Sequence, residues 1–416
     1  MVADGDKKAS VVVLAGGGPA PGINAVIASV IRSFSRGGYR VLGLHGGVRG
    51  IFESDPDFIG MGLPLADEIL DCGGSYLRMS RYKPTDADFE NFFNIEFFRD
   101  NNVSLLVTIG GDDTATTANR ISEFLARHNY PVANIHVPKT IDNDLPLPAG
   151  TPTFGFESAK DGGARTARAL YRDAKASGNW FVVCSMGRSA GHLALAIGAA
   201  CHYPMIIIPE MFSKTAISLD KITRLAVSSI VKRKMLGLDY GAVMVSEGVF
   251  HLLNAEELAD AGYIFSTDDH GHIEMGRHAK AQLFSDILDK ALETAGLGVR
   301  TRPVDIGYDV RCIPPTGYDL FYCTRLGCGV YELFSQGHSG CMVYADPLGN
   351  VRPLHLDSLK DPATGRIQPR LVDMESGTAK GVFENLLDYI APQDYERALA
   401  FVGEPEKYDF HKILEW

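Results

Sequence analysis

The sequence predicts an α/β protein of two or three domains, with mostly parallel sheets covered by helices. Short apolar runs rich in β-branched residues, such as residues 10–15, are typical of strands buried on both faces. They alternate with stretches whose apolar residues recur at helical spacing, which indicates amphipathic helices. Such alternation favours parallel sheets joined by right-handed crossovers, and ligands bind at the carboxyl ends of these strands.

The elements follow in order from the N-terminus. Strand 10–15 ends in Gly16-Gly17-Gly18, and a helix then begins near residues 21–22 and ends at Gly37-Gly38, where glycine favours a helix C-terminus. The apolar positions of this helix are 23, 26, 27, 30, 31 and 34, which share one face. Further strands are predicted over 40–44, 103–109, 132–137, 181–186, 205–208, 242–246 and 304–308. Further helices are predicted over 114–127, 189–200, 219–235, 279–294 and 318–335.

Composition and charge exclude several classes of protein. The 416 residues are 45% hydrophobic and 22% charged, as in ordinary globular chains and unlike long disordered ones. The net charge of −11, with no basic run longer than Lys232-Arg233-Lys234, argues against binding to nucleic acid. No apolar stretch reaches the roughly 20 residues of a membrane span, and the start has no apolar signal core. The 7 cysteines form no CxxC pair, so we expect a cytoplasmic protein with reduced thiols.

The first glycine-rich turn resembles a phosphate cradle. Backbone amides at a strand-to-helix turn bind anions, and glycines such as Gly17 and Gly18 let a phosphate approach. The turn fits neither common fingerprint, because Ile23 stands where a P-loop needs Lys and Pro21 where a dinucleotide-binding turn needs Gly. A tight turn without a ligand therefore stays an alternative.

The second turn, Gly110-Gly111-Asp112-Asp113, places adjacent carboxylates at the end of a buried strand. One aspartate there would be an ordinary helix N-cap. Two in succession repel each other unless a cation lies beside them. Oxygen ligands of this kind suit Mg²⁺ that bridges phosphates, so the turn predicts a magnesium site.

The third turn, Lys139-Thr140-Ile141-Asp142-Asn143-Asp144, is expected to be extended because prolines flank it. Residues i and i+2 of an extended segment share a face, so Asp142 and Asp144 should point the same way. Paired carboxylates beside Lys139 fit proton abstraction next to a phosphate or a metal. A surface turn would also use Asp and Asn, but it would not follow a predicted strand so directly.

The fourth turn, Gly187-Arg188-Ser189-Ala190-Gly191, has two interpretations. It matches Gly-x-Ser-x-Gly between a strand and a helix, the context of a hydrolase nucleophile, with Ser189 attacking and His338 or His355 as base. Alternatively, Ser189 is only an N-cap and Arg188 is the functional residue. The hydrolase hypothesis gives no task to the carboxylates of the second and third turns, which favours the alternative.

Later residues add signals for a sugar phosphate. Glu247 ends a predicted strand and could accept a hydrogen bond from a sugar hydroxyl. Arg302, Tyr308 and Arg311 bracket strand 304–308, where two arginines near one strand end would suit a phosphate dianion.

Two segments interrupt the alternation of strands and helices. The run Asp268-Asp269-His270-Gly271-His272 could ligate a metal, but it lacks partner ligands at helical spacing, so a solvated loop is favoured. Residues 346–370 are rich in Pro, Gly and Asp and are predicted to form a long surface loop. The segment after about residue 373 is expected to be helical, with a capping role.

Together the turns resemble those of the phosphofructokinase family, over about residues 11–356. The family's Gly-Gly-Asp-x turn, Thr-Ile-Asp-Asn-Asp loop and Met-Gly-Arg loop occur in order at 110–113, 140–144 and 186–188. The stretch 306–311 and the residues after it also resemble the family's later sugar-phosphate loop. Such a joint match is far more specific than any one motif.

The resemblance implies the phosphofructokinase fold, with two Rossmann-like three-layer domains that are discontinuous in sequence. Residues 1–155 and 310–360 would form the domain for the phosphoryl donor and Mg²⁺. Residues 156–309 and 361–416 would form the fructose 6-phosphate domain.

The resemblance also implies phosphoryl transfer to O1 of fructose 6-phosphate. Asp142 would take the hydroxyl proton, with Thr140 and Asp144 beside it, and Asp112 would hold Mg²⁺. The remaining family positions fall here on Met186, Gly187 and Arg188 at the sugar phosphate, Glu247 at a sugar hydroxyl, Tyr308 and Arg311 at the 6-phosphate, Arg81 and Arg188 at the transferring group, and Gly17 and Gly18 at the donor.

Two positions distinguish the donor. ATP-using members have Gly at the fourth position of the Gly-Gly-Asp-x turn and often Gly before the catalytic Thr, whereas this chain has Asp113 and Lys139, as pyrophosphate-using members do. Asp113 would place a carboxylate where the α-phosphate of ATP lies, which costs volume and like-charge repulsion. Lys139 would stabilise a leaving phosphate that carries no nucleoside. We therefore expect reversible transfer from pyrophosphate, with ATP as the alternative donor.

Other positions bear on assembly and regulation. Arg302 matches a family arginine that reaches a neighbouring subunit's site, so a homodimer or homotetramer is expected, while Asn179 stands where bacterial ATP-dependent members have a second such arginine. Ala28, Leu236 and Leu238 replace cationic effector ligands of those members, so control by ADP or phosphoenolpyruvate at that site is not expected. A non-catalytic sugar-phosphate-binding protein would keep the arginines but would have no use for the aspartates.

Overall fold

The structure is a computed structural model that describes residues 8–148, 150–212, 216–262, 266–267, 273–274, 280–359, 368–403 and 405. The chain divides into two compact units. The first unit is Met1–Ala159 with Tyr308–Arg370, and the second unit is Lys160–Gly307 with Leu371–Trp416. Each unit has one mainly parallel sheet, which confirms the predicted α/β class.

Regular elements cover most of the described chain. The strands are β1 (Ser10–Ala15), β2 (Arg40–Leu44), β3 (Phe58–Met61), β4 (Val103–Gly110), β5 (Ala133–Thr140), β6 (Phe154–Gly155), β7 (Trp180–Ser185), β8 (Met205–Ile207), β9 (Gly241–Ser246), β10 (Ser266–Thr267), β11 (Ile273–Glu274), β12 (Thr301–Ile306), β13 (Cys341–Ala345) and β14 (Val351–His355). The helices are α1 (Ile23–Arg36), α2 (Leu63–Ile69), α3 (Asp86–Phe92), α4 (Ile95–Asp100), α5 (Asp112–Arg127), α6 (Phe156–Ser177), α7 (His192–Ala200), α8 (Leu219–Met235), α9 (Glu247–His251), α10 (Ala255–Asp260), α11 (Lys280–Thr294), α12 (Tyr308–Arg311), α13 (Gly317–Ser335), α14 (Gly377–Asn385) and α15 (Tyr395–Leu399).

The sheet of the first unit has the order β14-β13-β5-β4-β1-β2-β3, and β6 pairs with β5. Only the edge strands β3 and β14 pair antiparallel with their neighbours among the described strands of this sheet. The central strand β1 divides its side chains between two cores. Val11 and Val13 pack with α1 and α13, whereas Val12 and Leu14 pack with aromatic residues of α3, α4 and α5. This explains the unbroken apolar run of β1, because both faces of the sheet are covered.

The second unit has a four-stranded parallel sheet in the order β12-β7-β9-β8. Both β7 and β9 are buried along their whole length. The short strands β10 and β11 form a separate antiparallel pair. The parallel register sets the ends of β7, β9 and β12 at one edge of the sheet, where the chemistry is expected.

Helix α6 is the largest element that the sequence analysis missed. Its Gly162-Gly163 pair reads as a helix break, but a Cβ on Gly163 would lie 2.4 Å from Cδ1 of Ile197, so glycine permits close packing there. Asp319 caps the helix from a distance, since its carboxylate accepts hydrogen bonds from the N–H groups of Gly155 at 3.0 Å and Ser158 at 2.8 Å. No local signal reveals that partner.

The loop predicted over 346–370 is only partly a loop. Within it, β14 pairs with β13, and the turn before β14 is closed by Asp346, whose Oδ1 accepts the N–H groups of Leu348 and Asn350 at 2.9 Å. Pro353 is compatible with β14 because that strand lies at the sheet edge. The prediction failed because Pro and Asp indicate turns locally and do not reveal edge pairing.

The C-terminal segment contains the short helices α14 and α15, in line with the expected helical character. The candidate metal run Asp268–His272 lies outside the described residues. Among the helices that are described, none is long and apolar enough to cross a membrane.

Candidate active site

Neighbouring parallel strands deliver three of the predicted turns to one edge of the first unit's sheet. The end of β1 pairs with Ile109 of β4, and Gly110 pairs with Pro138 of β5. The buried side chain of Thr114 lies against the first two turns, because a Cβ on Gly16 or Gly110 would come within 2.5 Å of its Oγ1. Glycine at both positions therefore lets these turns approach the start of α5.

Three cationic side chains surround the turn formed by Gly17 and Gly18. The Nζ atom of Lys139 donates a hydrogen bond to the Gly18 carbonyl. A Cβ on Gly18 would lie 3.3 Å from Nη1 of Arg311 and 3.5 Å from Nη2 of Arg81. The N–H of Gly17 donates at 2.9 Å to the carbonyl of the residue before Arg81, which ties that loop to the turn. Converging cations beside glycine backbone are suited to a phosphate-type anion.

The ammonium of Lys139 is buried, which disfavours its positive charge. The residue is 6% exposed, and burial is the main cause that lowers its pKa to about 8. The positive charges of Arg311 and Arg81 also lower the pKa of Lys139. The negative charges of Asp142 and Asp144 raise it. A bound anion would stabilise this buried ammonium, so the electrostatics favour an anionic ligand at the turn.

The predicted pair Asp112 and Asp113 forms the first turn of α5. Both side chains are exposed, and Asp113 forms an ion pair with Lys83, with 2.7 Å between Oδ2 and Nζ. Partial loss of hydration, followed by the negative charge of Asp113, raises the pKa of Asp112. A cation next to Asp112 would oppose both effects.

The residues present fit a magnesium ion that arrives with a phosphate. Within the described ranges, no group of three or more His, Cys, Asp or Glu side chains could hold a metal. Mg²⁺ is usually held by one or two carboxylates, with phosphate oxygens and water completing its shell. The exposed Asp112, whose pKa is raised, suits this mode.

The loop after β5 turns at Asn143, whose φ is 56°. The predicted extended conformation is therefore wrong at this residue, and alternation does not place Asp142 and Asp144 on one face. Asn tolerates the left-handed region, and here its Oδ1 accepts the N–H of Thr153 at 3.0 Å. This tertiary contact has no local sequence signal.

The loop nevertheless assembles the predicted catalytic residues. The N–H of Asp142 donates to Oγ1 of Thr140 at 3.0 Å. The charges of both Asp142 and Asp144 act on the pKa of Lys139, so both carboxylates lie within electrostatic range of its ammonium. The structure thus brings Thr140, Asp142, Asp144 and Lys139 to one end of β5, as the sequence predicted.

The prediction that two arginines flank one strand end is wrong. Strand β12 runs over Thr301–Ile306, so Arg302 is near its start, and Arg311 follows its end in α12. Tyr308 is 71% exposed, and the guanidinium carbon of Arg311 lies 4.9 Å from its ring centroid. Arg311 instead belongs to the cationic cluster at Gly18. The contact of Tyr308 and Arg311 with a 6-phosphate stays a prediction.

In the second unit, the ends of three strands carry the remaining predicted residues. Ser185 of β7 pairs with Ser246 of β9 and with Ile306 of β12, so Met186 and Glu247 follow strands that end at the same level. Gly187, with φ of 132°, is required at its position, because a Cβ there would lie 2.6 Å from the carbonyl oxygen of Ala190. The N–H of Met186 donates to the Ile306 carbonyl at 3.1 Å and Oγ of Ser246 donates to the Gly187 carbonyl at 3.2 Å, so the loop is held at the ends of β12 and β9.

Glu247 is a buried carboxylate between two cations. Its Oε2 accepts a hydrogen bond from Nζ of Lys280 at 3.2 Å, and its Oε1 lies 3.8 Å from Nε of Arg188. The side chains of Glu247 and Lys280 are 12% and 10% exposed, whereas that of Arg188 is 66% exposed. The structure thus brings the predicted residues Glu247 and Arg188 together, with Arg188 accessible to a ligand.

Arg302 does not join this cluster. It pairs with Phe181 at the start of β7, about 13 Å along the strands from the edge that carries Met186 and Glu247. The side chain is exposed. The expectation that it reaches the site of a neighbouring subunit stays a prediction.

The role of Ser189 as an N-cap is contradicted. Helix α7 begins at His192, and its N-cap is Gly191, so Ser189 lies in the preceding loop and is exposed. The Gly191 N–H instead donates to Oε1 of the buried Glu210 at 2.9 Å. A nucleophile elbow requires the serine at the strand-to-helix turn itself, so the hydrolase hypothesis also loses its structural context.

The sequence analysis missed four side chains that hold these loops. Lys83 pairs with Asp113, Lys280 with Glu247, Glu210 holds Gly191, and Arg370 bonds Asn143. Charged residues in loops and helix ends are common in any sequence, and only tertiary structure distinguishes these four. Among the four, only Lys280 had a weak signal in the sequence, because a lysine stands at the start of a predicted amphipathic helix.

The chain is similar to known proteins along most of its length. The phosphofructokinase family model matches residues 10–334. The pyrophosphate–fructose 6-phosphate 1-phosphotransferase of Naegleria fowleri is 37% identical over 88% of this chain and 84% of its own length. The enzyme of that name from Thermotoga maritima is 36% identical over 88% and 87%. An ATP-dependent 6-phosphofructokinase of Streptococcus agalactiae is 29% identical over 80% and 83%.

The fold is shared with solved structures. The crystal structure of a pyrophosphate-dependent phosphofructokinase from Marinobacter aquaeolei matches 95% of this chain and 91% of its own, with a TM-score of 0.68 at 20% identity. Taken with the matched motifs and the extent of the alignments, these similarities show that the chain belongs to the phosphofructokinase family.

Proposed function

We propose that this phosphotransferase moves a phosphoryl group reversibly from pyrophosphate to O1 of fructose 6-phosphate, giving fructose 1,6-bisphosphate and phosphate. The observation that carries the proposal is the buried ammonium of Lys139 at the Gly17–Gly18 turn, with Arg81 and Arg311 beside it. Such concentrated positive charge suits a small, highly charged donor. The names of the Naegleria and Thermotoga relatives support the same donor.

The presence of Asp113 supports pyrophosphate over ATP as the phosphoryl donor. We propose that its side chain occupies the space that an α-phosphate would need. Because Lys83 neutralises Asp113 across 2.7 Å and both side chains are more than 60% exposed to solvent, volume is the larger part of this exclusion and charge the smaller. Replacement of Asp113 should therefore show which of the two matters.

Asp142 is the proposed general base. It takes the proton of the O1 hydroxyl while O1 attacks a phosphorus atom of pyrophosphate, and the bond from that phosphorus to the bridging oxygen breaks. Lys139, Arg81 and Arg311 stabilise the charge on the transferring group and on the leaving phosphate. In the reverse direction Asp142 returns the proton to O1.

Asp112, with Asp113 adjacent, is the residue that we propose to hold Mg²⁺. When bound, the ion would neutralise charge on the oxygens of the donor. On the sugar side, Glu247 accepts a hydroxyl hydrogen bond and Arg188 and the Met186–Arg188 loop bind the sugar phosphate. Tyr308 is proposed at the 6-phosphate, whereas Arg311, whose guanidinium lies beside Gly18, is proposed to serve the donor instead of the 6-phosphate. Arg302 would contribute in an oligomer from a neighbouring subunit.

The decisive experiment is formation of fructose 1,6-bisphosphate from fructose 6-phosphate and Mg²⁺, run in parallel with pyrophosphate and with ATP. We expect turnover with pyrophosphate and at least 100-fold less with ATP. Turnover with ATP alone would keep the family and reject the proposed donor. No turnover with either would reject a catalytic function.

Two replacements at Asp113 then separate volume from charge. Asp113→Gly should raise the turnover with ATP, whereas Asp113→Asn, which keeps the volume and removes the charge, should leave it low. If Asp113→Asn raised ATP use as much as Asp113→Gly, the exclusion would be electrostatic.

A further inference from the structure

The loop that carries Asp142 and Asp144 is held by a side chain 227 residues after Asn143. The guanidinium of Arg370 donates to the Asn143 carbonyl from Nε at 3.1 Å and from Nη2 at 3.0 Å. Its Nη1 donates to the carbonyl of Thr151 at 2.8 Å, and Nη2 also reaches Oδ1 of Asn143. The backbone N–H of Arg370 donates to the Asp144 carbonyl at 2.6 Å.

These bonds act on a residue whose backbone turns the loop between the two aspartates. Asn143 lies between the two aspartates and has φ of 56°. Asn tolerates the left-handed region better than most non-glycine residues, and here the hydrogen bonds that surround it favour that conformation over the extended one. Rotation of this backbone would change the direction of Asp142 on one side and of Asp144 on the other.

Arginine is specifically suited to this task. The donors of its planar fork lie in fixed directions, so one half-buried side chain can satisfy two carbonyl groups and an amide oxygen together. A lysine ammonium in the same place is a point charge and cannot reproduce that geometry. Arg370 also lies beyond the residues matched by the family model, which end at 334.

We propose that Arg370 is a positioning residue of the phosphoryl-transfer reaction, which fixes the left-handed turn at Asn143 and thereby orients Asp142 and Asp144. Arg370 acts through the loop and is not proposed to contact substrate. The proposal rests on the proposed function, because the role of Asp142 as base is itself proposed.

A structural role alone and a positioning role differ in what they change. Loss of a purely structural contact would lower the melting temperature and the fraction of active enzyme. Loss of positioning lowers kcat of the folded enzyme. The KM values of fructose 6-phosphate and pyrophosphate change little, since the Gly17–Gly18 turn and the second unit are unaffected.

The test compares Arg370→Gln and Arg370→Lys with the matched control Arg325→Gln. Arg325 lies in the same unit and also holds a turn, with its Nε bonded to the Gly349 carbonyl at 2.7 Å, and it pairs with Glu332. We expect Arg370→Gln to lower kcat at least 10-fold with KM values within 3-fold of wild type, Arg370→Lys to lie between, and Arg325→Gln to leave both unchanged. A kcat of Arg370→Gln within 2-fold of wild type would overturn the proposal.

Two further measurements, chemical rescue of kcat and amide hydrogen exchange, test the role of Arg370 if a variant is unstable or the reaction differs. In Arg370→Ala, added guanidinium at millimolar concentration should restore at least part of kcat, and it should not stimulate an Arg325→Ala control. Amide hydrogen exchange of peptides covering 140–153 should accelerate in Arg370→Gln and not in Arg325→Gln. Unchanged exchange would show that Arg370 does not hold the loop, whatever reaction the enzyme catalyses. If the wild-type protein were inactive but exchange were faster in Arg370→Gln, the proposed function would be rejected, while the role of Arg370 in holding the loop would remain supported.

Discussion

The two units present their charged side chains in opposite ways. In the first unit, Lys139, Arg81 and Arg311 gather around the backbone of Gly17 and Gly18, so positive charge faces a turn without side chains. In the second unit, the charges are arranged around a carboxylate: Glu247 is buried between Lys280 and Arg188. One site is built around an open anion cradle, and the other around a hydrogen-bond acceptor already held in place.

This difference suggests what each unit recognises. A glycine turn surrounded by cationic side chains is expected to bind most strongly a highly charged ligand such as a phosphate. A carboxylate fixed by a buried ammonium keeps one orientation and can accept a hydroxyl hydrogen bond without paying for reorientation. We therefore propose that the first unit binds the donor and the second unit the sugar, and each of the following variants should perturb one of the two.

The largest effect is expected for Asp142→Asn in the first unit. The amide keeps the size of the side chain but cannot accept the O1 proton, so kcat should fall about 10³-fold with little change in either KM. Steady-state kinetics in both reaction directions would measure this. Asp346→Asn, in an exposed turn of the same unit, is the control that should remain active. A loss below 10-fold would remove Asp142 from the role of base.

A second prediction concerns the charge of Lys139. Its pKa of about 8 lies within the assay range, so kcat/KM for pyrophosphate should fall as pH rises through about 8, because the ammonium is lost above that value. Lys139→Arg should remove this decline, since a guanidinium stays protonated, while Lys139→Ala should lower kcat/KM about 100-fold. A wild-type profile that stays flat up to about pH 9.5 would show that the free enzyme does not depend on this charge.

The contrast between the units also shows what the sequence could predict. Gly17, Gly18, Asp112 and Asp142 follow strands of the first unit's sheet, and Glu247 follows a strand of the second unit's sheet, which is where the rule that ligands bind at strand ends predicts functional residues. The shape of the Asn143 turn and the start of α7 were predicted wrongly, because Arg370 and Glu210 act on them from distant positions. Local patterns thus place residues at the end of a strand, whereas the final orientation depends on tertiary hydrogen bonds that leave no local signal.

A smaller effect is expected for Lys280→Met in the second unit. Loss of the 3.2 Å bond to Glu247 frees the carboxylate to rotate, so KM for fructose 6-phosphate should rise about 10-fold while KM for pyrophosphate stays constant. The same replacement in a Glu247→Gln background should have little further effect, because the partner is already lost. Additive effects in this double-mutant cycle would mean that Lys280 acts independently of Glu247.

The smallest effect is expected for Ser189→Ala. Ser189 is exposed and precedes α7 instead of forming its N-cap. The loop around it is held by Gly187 and by the bond from Gly191 to Glu210, neither of which needs the hydroxyl. Phosphoryl transfer by Ser189→Ala should stay within 2-fold of wild type, while Arg188→Ala in the adjacent position should raise KM for fructose 6-phosphate at least 10-fold. If Ser189→Ala abolished activity instead, the hydroxyl would be a reacting group, and the division of the molecule into an anion cradle and a sugar-binding unit would have to be abandoned.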